Sequence, residues 1–312
     1  MKNKKIVVTG GAGFIGSNIV RSLLVDNDVV VIDNLSTGKI DNIKELMETE
    51  KINFINASIC DLEILKKEFE GVDYIFHEAA IPSVPRSIED PVSINYSNVV
   101  GTLNVLKAAL DKNVKKVVYA SSSSIYGNDP TLPKKEDMKP CPMSPYAVSK
   151  LTGEYYCNVF KDIYNLNTVI LRYFNVFGPR QDPKGQYSAV IPRFITSIQN
   201  KKPPTIYGDG QQTRDFTFVK NVIDANIKAA EKNQNGIFNI ACGEKITISD
   251  LANNIMEIMG ENIDCIYNDS RPGDVKHSIA DISKAKDLIE YNPRYNIREG
   301  LEETIRWYQQ ST

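Results

Sequence analysis

The feature that most constrains this chain is a glycine-rich joint between a β-branched run and an amphipathic stretch. Lys5-Ile6-Val7-Val8-Thr9 stops at Gly10-Gly11-Ala12-Gly13-Phe14-Ile15-Gly16, and helical spacing resumes through Ile19, Val20, Leu23 and Leu24. Gly10, Gly13 and Gly16 form a G-x-x-G-x-x-G strand-to-helix turn. The first glycine permits the tight turn, the second admits a pyrophosphate to the backbone, and the third packs helix on strand. The helix start then offers unpaired N–H groups to phosphate oxygens. Val29-Val30-Val31-Ile32 forms a second buried strand that ends at Asp33. A carboxylate there accepts both ribose hydroxyls and repels a 2′-phosphate, which favours NAD over NADP. Asn34 and Ser36 follow without an arginine, in keeping with that choice.

Strands and helices continue to alternate. Strands are expected at 52–55, 74–77, 117–120 and 168–172, and helices from Asp61 to Phe69, Val92 to Leu110 and Pro145 to Tyr164. Such alternation implies an α/β fold with a Rossmann doubly wound parallel sheet. Ligands bind these sheets at the carboxyl ends of the strands. There lie Gly10 to Gly16, Asp33, His77 to Ala80 and Ser121 to Ser124. After Pro179 the alternation stops, so a smaller C-terminal α/β substrate domain is expected. The division reads as 1–172 plus about 214–240 for the sheet and 173–213 plus 241–312 for the second lobe.

At 312 residues, 42% hydrophobic and 24% charged, the chain has the profile of a soluble globular protein. A net charge of −2 without a basic run argues against a nucleic-acid partner. The apolar run after Lys5 is too short for an export signal, and no window reaches membrane-spanning length. Five scattered cysteines and two histidines offer neither a disulfide framework nor a metal site. A reducing, cytoplasmic location follows as the expectation.

Tyr146 and Lys150 stand four residues apart and share a helix face. A cation beside a phenol favours tyrosinate and lowers its pKa toward neutrality, where it can move protons. Ser122, at the end of the preceding strand, can bring a hydroxyl to the same substrate oxygen. Arg214 and Arg271 each offer a guanidinium suited to bidentate phosphate contact.

In these ordered motifs, together with Asp33-Asn34, Asp61-Leu62, Ile125-Tyr126-Gly127 and Arg172-Tyr173-Phe174-Asn175, the chain resembles the extended short-chain dehydrogenase/reductases. Within them it is similar to the NAD-dependent UDP-sugar 4-epimerases over essentially its whole length. The resemblance implies that Tyr146 is the general base, that Lys150 tunes it and holds the nicotinamide ribose, and that Ser122 is its hydroxyl partner. It implies further cofactor contacts from Gly10, Gly13, Phe14, Ile15, Gly16, Asp33, Asn34, Ser36 and Gly38. Asp61 and Leu62 would meet the adenine, and Ala79, Ala80, Asn98, Ser121 and Tyr173 complete the cofactor set. Arg214 and Arg271 would bind the substrate diphosphate and Asp274 the uridine ribose. Asn175, Ala189, Val190 and Tyr207 would line the uridine end, with Ser83, Val84, Arg86 and Ser123 near the sugar.

Related dehydratases carry Asp and Glu where this chain has Ser123 and Ser124, and related decarboxylases carry a loop glutamate, so neither reaction is implied. UDP-glucuronate 4-epimerases share the four-serine loop and are the nearest alternative. Ser278 replaces the bulky tyrosine of plain-hexose epimerases, leaving room for a 2-N-acetyl group. Interconversion of UDP-GlcNAc and UDP-GalNAc, and also of UDP-glucose and UDP-galactose, is therefore expected. A non-catalytic NAD-binding sensor or scaffold is the reading from a different class; such proteins lose the Tyr/Lys pair or the serine. Glu78 departs from relatives, which often have an apolar residue or glutamine. The helices at 92–110 and 145–164 are expected to pair in a homodimer.

Overall fold

The computed structural model describes residues 1–48, 51–183, 189–269 and 276–310. Its centre is an all-parallel sheet: β1 (Lys5–Thr9), β2 (Asp28–Asp33), β3 (Ile52–Asn56), β4 (Tyr74–His77), β5 (Lys116–Ser122), β6 (Thr168–Tyr173) and the edge strand Gly236–Ile240. The order across the sheet is Gly236–Ile240, β6, β5, β4, β1, β2, β3. Chain order reverses between β1 and β4, so their carboxyl ends open a crevice. This is the expected doubly wound architecture.

The two-residue period of the strands builds two cores. Ile6 and Val8 of β1 join Val29, Val31, Phe76, Val118 and Leu171 on one face, covered by helices Phe14–Leu23 and Val219–Glu231. Val7 joins Val30, Ile32, Ile75, Val117 and Ile170 on the other, covered by helices Leu62–Glu68, Gly101–Asp111 and Pro145–Tyr164. Burial on both faces explains why these strands read as unbroken apolar runs.

A third core lies beyond β6. Phe194, Ile195 and Ile198 of helix Val190–Gln199 pack with Leu251 and Ile255 of helix Ile248–Met259 and with Leu301 and Ile305 of helix Ile297–Gln310. Three short strand pairs edge it: Val176–Phe177 with Thr217–Phe218, Thr213–Arg214 with Ile246–Thr247, and Thr205–Tyr207 with Ile266–Asn268. Phe216 and Phe218 belong to this core, and the chain rejoins the large sheet through helix Val219–Glu231.

The helix expected over 92–110 is built in pieces. Pro91–Asn95 leads through a π turn, Tyr96–Val100, into Gly101–Asp111. The widened turn buries Asn98. A separate short helix, Val84–Glu89, precedes it, with Ser83 as its N-cap accepting from the Arg86 amide. Helix Pro145–Tyr164 begins as its sequence dictates: Ser144 caps the Ala147 amide, Pro145 occupies the first turn, and Asn165 ends it in the left-handed region.

Candidate active site

A cleft of about 1110 Å³ runs over the carboxyl ends of the strands. One end is the glycine joint. Gly10 has φ +72°, and a Cβ on it would lie 2.6 Å from the Ala79 amide nitrogen. A Cβ on Gly16 would lie 2.2 Å from the Gly10 carbonyl oxygen, so only glycine lets helix and strand meet there. Helix Phe14–Leu23 starts at Gly13 with no side-chain cap and no acidic residue in its first turn. Its leading amides therefore suit an anionic ligand, and the cradle fits a dinucleotide pyrophosphate.

Asp33 closes β2 and is buried. Its Oδ2 accepts from the Ala12 amide at 3.0 Å and its Oδ1 from the Leu35 amide at 2.8 Å. Burial raises its pKa, while those two amides pull it down. Both oxygens keep a lone pair for ribose hydroxyls. Gly38 sits behind the carboxylate, where a Cβ would lie 2.8 Å from Oδ2. Phe14, Ile15, Asn34 and Ser36 line this end of the cleft. Asp61 and Leu62 do not: the Asp61 carboxylate caps the Ile64 amide, and Leu62 packs against the second core. Ala57, Ser58 and Ile59 face the cleft instead. These small and apolar residues carry no motif that singles them out in sequence.

Ala79 and Ala80 form the floor beside Gly10. Asn98 braces that floor from behind. Its Oδ1 accepts from the Ile81 amide at 2.8 Å and its Nδ2 donates to the Ser149 hydroxyl at 3.1 Å. It is a support for the loop and lies outside the lining of the cleft.

At the middle of the cleft Ser121, Ser122, Ser123, Tyr146 and Tyr173 converge. Ser121 and Ser122 complete β5, and Ser123–Tyr126 is a tight 3-10 turn. A buried network fixes this corner. Arg172 makes a bidentate pair with Glu154 at 2.9 and 2.7 Å, and Ser121 donates to the same carboxylate at 2.5 Å. The Tyr126 hydroxyl, the acceptor of an Arg172 N–H at 2.8 Å, donates to Asn239 at 2.7 Å.

The Tyr146–Lys150 pair departs from expectation. Lys150 is buried, and its ammonium donates to the Ala120 carbonyl at 2.8 Å. Burial lowers its pKa to about 8, with the Glu78 carboxylate opposing. The Tyr146 phenol is shifted upward, against the lowering that the spacing suggested. Burial is the main cause, the Ser122 hydroxyl opposes it, and the Glu78 carboxylate adds to it. The i, i+4 spacing puts both groups on one face, and the lysine ammonium is bound to the strand carbonyl of Ala120.

Asn175, Ala189, Arg214 and Ser278 also line the main cleft, as do Ser83, Val84 and Arg86. A side cavity of about 310 Å³ holds Val190 and Tyr207 with Asn175, Ala189 and Arg214. The Arg193 guanidinium lies 5.4 Å from the Tyr207 ring centre. Arg193 and Gln212 also line this cavity, and no sequence motif marks either. Ser278 is half-buried, its amide donating to the Thr213 carbonyl at 3.1 Å. Arg271 and Asp274 lie outside the described residues. Among the described residues no cluster of His, Cys, Asp and Glu could hold a metal, and no helix is long and apolar enough to cross a membrane.

The sequence profile of the NAD dependent epimerase/dehydratase family matches residues 6–241. A putative UDP-glucose 4-epimerase of Methanocaldococcus jannaschii is 40% identical over 305 residues, 97% of each chain. The UDP-N-acetylglucosamine 4-epimerase of Methanobrevibacter ruminantium, solved in complex with UDP-N-acetylmuramic acid, is 45% identical with a TM-score of 0.97 over 100% of both chains. The UDP-glucuronic acid 4-epimerase of Bacillus cereus, solved with UDP-glucuronic acid and NAD, is 36% identical with a TM-score of 0.91 over 99% of this chain and 100% of that one.

Proposed function

Because this chain belongs to the NAD dependent epimerase/dehydratase family, we propose that it inverts C4 of UDP-hexoses, with UDP-GlcNAc/UDP-GalNAc favoured and UDP-glucose/UDP-galactose also accepted. It is an isomerase, and its cofactor is NAD. When bound, NAD supplies the acceptor of a hydride from C4 and its later donor. The protein supplies the rest. Tyr146 takes the proton of the 4-hydroxyl, Ser122 donates to the same oxygen, and Tyr146 returns the proton once the 4-keto sugar has turned over. Lys150 anchors the helix to β5 and carries the charge beside the nicotinamide ribose.

In this reading NAD is held by 1–172 with about 214–240, and the UDP-sugar by 173–213 with 241–312. Arg214 and Arg271 hold the diphosphate, Asp274 the uridine ribose, and the side cavity with Tyr207 the uracil. The observation that carries the substrate assignment is Ser278, a small half-buried side chain lining the cleft that also contains Tyr146 and Ser122. A hydroxymethyl side chain there leaves space for a 2-N-acetyl group. UDP-glucuronate is the second reading, favoured by the run Ser121 to Ser124 and by the likeness to the Bacillus cereus enzyme. Turnover of UDP-GlcNAc, UDP-glucose and UDP-glucuronate by the purified protein tests the order; activity on UDP-glucuronate alone would overturn it. A spectral change of bound NAD on addition of UDP-sugar separates an enzyme from a sensor, which would show none.

The protein acts in the cytoplasm as a homodimer in this reading. Val148, Tyr155, Val159 and Ile163 form an exposed apolar stripe along helix Pro145–Tyr164, next to exposed Val92 and Tyr96. Pairing of these helices across a two-fold axis would cover the stripe. Sedimentation as a monomer would exclude that assembly.

A further inference from the structure

Glu78 stands at the carboxyl end of β4, between buried His77 and the Ala79–Ala80 floor, and lines the same cleft as Tyr146 and Ser122. Three elements aim it. Its amide donates to the Thr9 carbonyl of β1 at 3.1 Å. Its Oε1 accepts from the Tyr173 hydroxyl of β6 at 2.8 Å, and that hydroxyl accepts from Asn226 Nδ2 of helix Val219–Glu231 at 2.8 Å. The titratable groups that feel it are Tyr173, Tyr146 and Lys150. The neighbouring imidazole of His77 is held neutral between Thr9 and Thr102, its pKa lowered to about 3 by burial and by Lys150. Glu154, which also faces Lys150, is committed to Arg172 and Ser121.

We propose that Glu78, held by the Tyr173 hydroxyl beside Ser122 and lining the same cleft as Tyr146, is a positioning residue that governs proton transfer by the Tyr146–Lys150 pair. This rests on Tyr146 as the group that takes and returns the substrate proton. An ammonium alone would favour tyrosinate and slow the return step. A carboxylate in the same low-dielectric cleft offsets that pull, so that proton removal and return stay balanced. Burial lifts the carboxyl of Glu78 itself to about 7, with the Tyr173 hydroxyl and Lys150 opposing.

Glu78→Gln keeps an acceptor for Tyr173 and removes the charge. The probe is the near-ultraviolet signal of tyrosinate in the NAD-loaded protein, taken as the difference from Tyr146→Phe. The expected result is ionisation of Tyr146 about one pH unit lower, with the acidic limb of turnover shifted by the same amount. Glu78→Leu removes the charge with a different shape and is expected to give the same shift, so it decides the matter should the glutamine variant fold poorly. An unmoved titration overturns the proposal, as does a lowered melting temperature with no change in the titration. The titration needs no substrate, so its outcome stands apart from whether UDP-hexoses are epimerised.

Discussion

The Lys150 ammonium donates to the carbonyl of Ala120 at 2.8 Å and lies 5.2 Å from the centre of the Tyr119 ring. The lysine thus ties helix Pro145–Tyr164 to the strand that ends in Ser122. Burial depresses its pKa to about 8 from 10.5, so the folded protein binds fewer protons than the unfolded chain between those values. Stability from this group therefore rises with pH across that window, while the ammonium that the site uses is lost above about 8. Turnover should decline above that pH, and Lys150→Met should erase the decline and cost on the order of 10²-fold in kcat. A pH–rate profile of both proteins checks this.

Tyr146→Phe removes the group that takes the 4-hydroxyl proton in the proposed reaction. Turnover should fall by at least about 10²–10⁴-fold while the nucleotide remains bound. Absorbance of NAD released on denaturation, measured beside activity, distinguishes the two effects. Near-normal turnover would remove the catalytic assignment.

Ser278→Tyr fills the sugar end of the cleft. Epimerisation of UDP-GlcNAc should drop by on the order of 10²-fold relative to UDP-glucose. Equal losses on both substrates would show that this position does not select the sugar.

Asp33→Ala removes the ribose carboxylate and also the acceptor of two amides. NAD content should fall, and each of the Ala12 and Leu35 amides left unpaired should cost about 1 kcal/mol. Cofactor content unchanged after purification would contradict the ribose role.

Glu154→Ala leaves Arg172, 2% exposed, as an unpaired buried cation and frees Ser121. A loss of about 3–5 kcal/mol is expected. Chemical denaturation reads it directly, and an unchanged midpoint would show that the network is not what fixes this corner.

The sheet and the cofactor end were legible because their signals are local. A glycine joint, a β-branched strand and a terminal aspartate carry their geometry within a few residues, and both-face burial of β1 and β2 writes itself as apolar runs. The partners that decide the chemistry of the pair are distant in sequence. Ala120 for Lys150, and Tyr173 for Glu78, meet only once β4, β5 and β6 lie side by side. No spacing rule on helix Pro145–Tyr164 reveals that its lysine reaches the strand or that burial raises the Tyr146 phenol. Asp61 stands off the lining of the cleft, and one of its carboxylate oxygens accepts from the Ile64 amide. The strands that edge the third core are two or three residues long, too short to leave a period.

Helix Phe14–Leu23 begins at a glycine that offers no side chain to its leading amides. In the proposed complex a helix so begun is finished by its ligand, pyrophosphate oxygens being the acceptors that the chain itself omits. Nucleotide occupancy and fold integrity become one equilibrium: each tenfold rise in free NAD above its dissociation constant adds about 1.4 kcal/mol to the folded state. Melting temperature then serves as a gauge of cofactor loading.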